Sequence, residues 1–121
     1  MVNQPCILVC DDDPLIRKVI KANLIKRNYQ VSEFENGQQL IDYLQNDTGD
    51  LIILDLGMPI MNGFDTCVWI RQHDIDTPII VLTAYEDFDL KYRAISLGVD
   101  DYMHKPFQIQ DFLARIERAI K

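Results

Sequence analysis

The sequence predicts a three-layer, doubly wound α/β domain: (βα)5, a parallel five-stranded sheet with helices on both faces. Two observations lead there. Short runs of consecutive large apolar residues recur along the chain, CILVC from Cys6, LIIL from Leu51 and IIVL from Ile79, and each halts at a polar side chain, Asp11, Asp55 or Thr83. Unbroken apolar runs of this length suit strands covered on both faces. Between the runs, apolar residues return at three- and four-residue spacing, the signature of a helix with one buried face. Strand then helix, repeated five times, needs crossover connections, and right-handed crossovers wrap both faces of a single parallel sheet.

Each element has its own signals. Cys6 to Cys10 is the first strand and ends at Asp11, Asp12 and Asp13. Pro14 then takes the first helical position, where its missing N–H costs nothing, and Asp13 reads as the N-cap in preference to a metal ligand. Ile16, Val19, Ile20 and Leu24 give this helix its apolar face, and Asn28 closes it. Val31 to Phe34 is a short strand, and Asn36-Gly37 turns the chain into a helix carrying Leu40, Ile41 and Leu44. Leu51 to Asp55 is the central strand, and Phe64, Cys67, Val68 and Ile70 or Arg71 mark the helix after it. Pro78 opens the strand Ile79 to Leu82, which runs out into Thr83 and Ala84. A fourth helix spans about Asp87 to Leu97, and Gly98 ends it with a left-handed cap. Tyr102 to His104 is the fifth strand, stopping at Lys105-Pro106, and Ile109, Phe112, Leu113 and Ile116 stripe the last helix. For five such units the flavodoxin-like strand order 2-1-3-4-5 fits best.

With 121 residues, 48% of them hydrophobic, the chain suits one core and one domain over residues 1-121. A net charge of -7 argues against this domain itself gripping nucleic acid or an anionic membrane, and favours cations or a basic partner. No window approaches a membrane span and the N-terminus carries no basic n-region, so the expected location is cytoplasmic. Cys6, Cys10 and Cys67 are odd in number and lack C-x-x-C spacing, which reads as small core side chains in place of disulfides or a zinc site. His73, His104 and Trp69 read as packing or surface residues.

Function is organised around LIILDLGMPIMNG, residues 51 to 63. Asp55 ends a buried strand, and in open α/β sheets ligands bind just outside the carboxyl ends of the strands. The predicted order brings Asp11, Asp12, Asp55 and Thr83 to one edge, with Lys105 arriving from the fifth strand. Carboxylates about 4 Å apart repel by roughly 4 kcal/mol per pair at an effective dielectric near 20, so such a cluster calls for a cation. Few hard oxygen ligands, with water completing the shell, select Mg2+ or Mn2+. Lys105, the Thr83 hydroxyl and the Ala84 backbone N–H suit phosphoryl oxygens, and Asp55 can itself be the nucleophile, giving an acyl phosphate.

These residues resemble the response-regulator receiver domains of two-component signalling. The matching motifs are Asp11-Asp12 after ILVC, D-x-x-x-P-x-x-x-G at Asp55, Pro59 and Gly63, then Thr83-Ala84, Leu97-Gly98 with Asp100-Asp101-Tyr102, and Lys105-Pro106-Phe107. The resemblance implies that Asp55 is the phosphoacceptor, Asp12 a direct Mg2+ ligand, Asp11 a ligand through water, and Gly57 a ligand by its backbone carbonyl. It further implies that Lys105 pairs with the phosphoryl group, that Thr83 swings in to bond it, and that Tyr102 changes rotamer. The donor would be a sensor histidine kinase, a histidine phosphotransfer protein or a small acyl phosphate. Two positions depart from the commoner residues: Gly57 carries no side chain and Tyr85 is bulky, and we expect Gly57 to open the path of hydrolytic water and Tyr85 to cover part of it. A flavin binder is disfavoured by the aspartates at the phosphate loop, and an aspartyl-phosphate hydrolase by Gly57 where a second Asp is wanted. A degenerate receiver that only docks partners is the remaining alternative.

The expected reading surface is the fourth helix, the Tyr102 strand and the last helix, with Phe88 and Tyr92 partly uncovered and Ile95 either partly uncovered or packed against the sheet. It resembles the face through which receivers joined to winged-helix domains dimerise by charge pairs. Lys91, Asp101, Asp111 and Arg115 match that pattern, and Glu117 stands where a basic residue is expected.

Overall fold

Five strands alternate with five helices: β1 (Cys6–Cys10), α1 (Pro14–Lys26), β2 (Gln30–Phe34), α2 (Gly37–Leu44), β3 (Leu51–Leu54), α3 (Gly63–Gln72), β4 (Ile79–Thr83), α4 (Phe88–Ser96), β5 (Asp101–His104) and α5 (Ile109–Ile120). The computed structural model describes residues 4–58, 61–84 and 88–120, with 88–90 described by their backbone. All strand pairs are parallel and the order is β2-β1-β3-β4-β5, as the apolar runs and crossovers predict.

The helix ends follow from their capping residues. Asp13 is extended, and its carboxylate accepts from the N–H groups of Leu15 and Ile16 at 2.9 and 3.4 Å, ahead of Pro14. Asn36 and Asn62 cap α2 and α3 in the same way. Asn28 (φ 65°) and Gly98 (φ 79°) turn the chain through the left-handed region behind α1 and α4.

Alternation along the strands divides the core in two. Ile7, Val9, Leu51, Ile53, Ile80 and Leu82 face α1 and α5, meeting Ile20, Leu24, Phe112, Leu113 and Ile116. Leu8, Cys10, Ile52, Leu54, Ile79 and Val81 face α2, α3 and α4, meeting Leu40, Leu44, Cys67, Ile70 and Ala94. Each fully buried aliphatic side chain contributes about 1.5–3 kcal/mol relative to exposure. Such a strand therefore holds its register against any one-residue slip, which would send each side chain to the wrong layer.

Val19 departs from the predicted core face: it is 46% exposed, beside Leu15 at 67%, and α1 is buried through Ile20 and Leu24 with Ile16 half-covered. Cys10 and Cys67 are buried as expected, whereas Cys6 is only half so. Ile95 and Tyr92 are exposed, at 52% and 77%, so the partly uncovered reading of that face holds; the side chain of Phe88 lies outside the described residues. Arg71 has a role its sequence position does not announce. Its guanidinium donates to the carbonyls of Ile75, Thr77, Leu97 and Gly98, tying the end of α3 to the end of α4 and to the approach to β4. Among the described residues, no helix is long and apolar enough to cross a membrane.

Candidate functional site

The carboxyl ends of β1, β3, β4 and β5 meet at one edge of the sheet. Asp11 leaves β1 and Asp55 leaves β3, and both are buried, at 2% and 6% exposure, while Asp12 is exposed. Carboxylate oxygens of Asp11, Asp12 and Asp55 lie within 4.8 Å of one another. Lys105, immediately after β5, places Nζ 2.6 Å from Asp11 Oδ2 and 3.5 Å from Asp55 Oδ2. Its backbone N–H donates to the Thr83 carbonyl at 2.9 Å, which fixes the lysine beside the end of β4.

Local backbone chemistry sets the aim of each acid. The Asp13 N–H donates to Asp11 Oδ1 at 2.9 Å, and the Gly57 N–H donates to Asp55 Oδ1 at 3.2 Å. Asp55 Oδ2 is left facing Lys105. The loop after Asp55 then folds back on itself: the Gly63 N–H donates to the Leu56 carbonyl at 3.1 Å, and a Cβ at Gly63 would land on the Asp55 carbonyl oxygen. Only glycine lets α3 begin against the strand end. Pro59, the middle member of that motif, and Tyr85 lie outside the described residues.

The electrostatics are those of an acid cluster with too few cations. Burial pushes the Asp11 carboxyl above its ordinary value, opposed by the Lys105 hydrogen bond and the Asp13 N–H and reinforced by the Asp55 charge. Lys105 is itself raised: burial pulls it down, but its hydrogen bond to Asp11 and the charges of Asp11 and Asp55 outweigh that. An all-oxygen donor set crowded in this way fits a hard divalent cation such as Mg2+.

Thr83 is fully buried at the end of β4 and shares the sheet face of Val81 and Tyr102 by alternation. Ala84 is exposed just beyond it. Tyr102 is half-buried on β5, with its ring 5.5 Å from the His104 ring and Lys91 Nζ 5.6 Å from its centre. Its ring lies toward Lys91 of α4. His73 stacks on Trp69 at 3.9 Å, at the end of α3, and His104 is exposed. An apolar groove lined by Leu15, Ile16, Val19, Phe107 and Ile109 opens beside Lys105 and Ala84. Burial holds the Cys10 thiol far above its ordinary value, and its Sγ sits 3.4 Å from Met58 Sδ, so this cysteine is an inert packing group beneath the site.

Comparison with known families decides the identity. The model for the response regulator receiver domain matches residues 7–117. The chain belongs to that family. This receiver domain is 38% identical over 115 residues to the transcriptional regulatory protein KdpE of Mycobacterium tuberculosis, covering 95% of the chain and 50% of the relative. It is 39% identical to the probable transcriptional regulator ycf27 of Cyanidium caldarium, covering 95% of the chain and 46% of that protein. The chain thus spans about half the length of these curated relatives. Among solved structures, the non-phosphorylated HemR receiver domain from Leptospira biflexa superposes with a TM-score of 0.91 at 31% identity, covering 98% of this chain and 95% of that one. A CheY-like receiver domain protein from Methanospirillum hungatei shares the fold, with a TM-score of 0.93 at 23% identity.

Proposed function

We propose that residues 1–121 act as one receiver domain, a phosphorylation-activated switch of a two-component system, with Asp55 the phosphoacceptor. The observation that carries this reading is the Asp55 carboxylate itself: one oxygen is fixed by the Gly57 N–H and the other faces Lys105. In the transfer, an Asp55 oxygen forms a bond to phosphorus as the phosphorus–nitrogen bond of a phosphohistidine breaks. The departing electron pair leaves with the imidazole. The donor would be a sensor histidine kinase or a histidine phosphotransfer protein, and the groove between α1 and Phe107 offers such a partner an apolar surface beside Lys105.

Asp11, Asp12 and Asp55, with the Gly57 backbone carbonyl, are the groups that would hold Mg2+ or Mn2+. When bound, the ion supplies positive charge against the phosphoryl oxygens and the acids. Lys105 supplies the opposing positive charge, and the Ala84 N–H and Thr83 hydroxyl bond the remaining oxygens. Thr83 and Tyr102 would then carry the change to the α4-β5-α5 face, with no direct role in gripping nucleic acid. The domain catalyses only its own phosphorylation and dephosphorylation. The docking-only alternative has no observation in its favour, since Asp12, Asp55, Thr83 and Lys105 are all present.

Intact mass after incubation with Mg2+ and a small acyl phosphate tests this. A gain of one phosphoryl group that disappears in Asp55→Asn and in EDTA is expected. No gain, together with no binding of beryllofluoride, refutes it.

A further inference from the structure

Asp11 and Asp55 have their carboxylates held by hydrogen bonds, but among the described residues nothing bonds the carboxylate of Asp12, the exposed member of the cluster. The backbone of Asp12 therefore sets the direction in which its Cα–Cβ bond leaves the chain. The peptide that joins Asp11 to Asp12 is gripped by one side chain: Arg17 Nη1 donates to the Asp11 carbonyl at 2.6 Å. Arg17 lies in the second turn of α1, its side chain only 12% exposed. It is braced from behind by Glu33 of β2, whose Oε1 is 3.5 Å from Arg17 Nε and whose Oε2 is 3.3 Å from Lys21 Nζ. A planar guanidinium can hold both oxygens at once in fixed directions, which an ammonium cannot.

We propose that Arg17 is a positioning residue for cation binding. Braced by Glu33, it fixes the Asp11–Asp12 peptide plane and so aims the Asp12 carboxylate at the cation that Asp11 and Asp55 share. This inference rests on the metal reading given above. Groups that orient ligands in this way are commonly worth tenfold or more in metal affinity.

The sign of the effect separates positioning from simple electrostatics. Arg17 is a positive charge beside a cation site, so if only its charge mattered, Arg17→Gln would tighten Mg2+ binding and Arg17→Lys would leave it unchanged. If Arg17 positions Asp12, both substitutions weaken binding, by about tenfold for Arg17→Gln. The experiment is Mg2+ titration by calorimetry on the unphosphorylated protein and both variants, with the Asp11 carbonyl 13C resonance followed in parallel. Weaker binding in both variants, with that resonance moved upfield as its hydrogen bond is lost, is the expected result. Tighter or unchanged binding in either variant overturns the proposal. Arg17→Lys keeps the test open should Arg17→Gln fail to fold. Absence of Mg2+ binding by the wild-type protein would instead overturn the metal reading itself, and this inference with it.

Discussion

Lys105→Met removes the cation shared by two buried acids, and its cost follows from the geometry. At an effective dielectric near 20, the contacts at 2.6 and 3.5 Å are worth about 6 and about 5 kcal/mol of gross attraction. Most of this offsets desolvation and the mutual repulsion of three carboxylates within 4.8 Å. Breaking a buried pair by removing one partner leaves a net loss of about 3 kcal/mol, or roughly a 10 °C lower Tm for a domain of this size. The loss should depend on pH and on metal. Asp11 has a folded pKa above its ordinary 3.8, so the folded state holds the proton more tightly and stability falls as pH rises from about that value through the raised one. Without Lys105 that fall deepens, so the variant's deficit should be smallest near pH 4 and full at pH 7. In the wild type, the raised Lys105 contributes stability that is fully present below its ordinary 10.5 and lost as pH rises through its folded value. Excess Mg2+ should restore part of the variant's stability, since the ion binds only the folded site. The assay is urea unfolding at pH 4 and pH 7, with Mg2+ and with EDTA. A variant as stable as wild type in EDTA at pH 7, or a deficit independent of pH, would refute this account of the charge balance.

Gly63→Ala should cost about 1–3 kcal/mol, because the added methyl meets the Asp55 carbonyl and backbone cannot step aside as a side chain would; thermal unfolding measures it, and Mg2+ affinity should drop alongside. Gly57→Met should slow dephosphorylation and Tyr85→Ala should speed it, as read from loss of phosphoryl mass over time; unchanged rates in both would remove these residues from the water path. Sedimentation with beryllofluoride should show a dimer through α4-β5-α5. Arg115 already pairs within the chain with Asp101 at 2.6 Å and Asp111 at 3.2 Å, and exposed pairs are worth only about 0–1 kcal/mol each. Tyr92→Glu should therefore abolish the dimer more completely than loss of any one charge, and a monomer in the wild type would exclude that face as the interface.

The layers of the fold and the edge at which the site forms are legible in the order of the residues. The apolar runs that end at Asp11, Asp55 and Thr83 are too short for helices and form parallel strands covered on both faces, half-buried Cys6 excepted, so their polar ends emerge together. The cap at Asp13 and the turn at Gly98 were legible for the same local reason, that each depends on its own backbone alone. Strand boundaries at Gln30 and Asp101 lay one residue beyond the apolar run, because pairing with a neighbour extends a strand where its own side chains do not require it. Which side of α1 is covered emerges only from packing, which leaves Val19 out and Ile20 in, since a helix's apolar face is broader than the contact the sheet offers it. Tertiary structure alone showed Arg71 closing on four carbonyls and Arg17 on the Asp11 carbonyl. Backbone carbonyls are present at every residue and leave no mark in a sequence, so a cation that binds them is visible only once the chain has brought them to it.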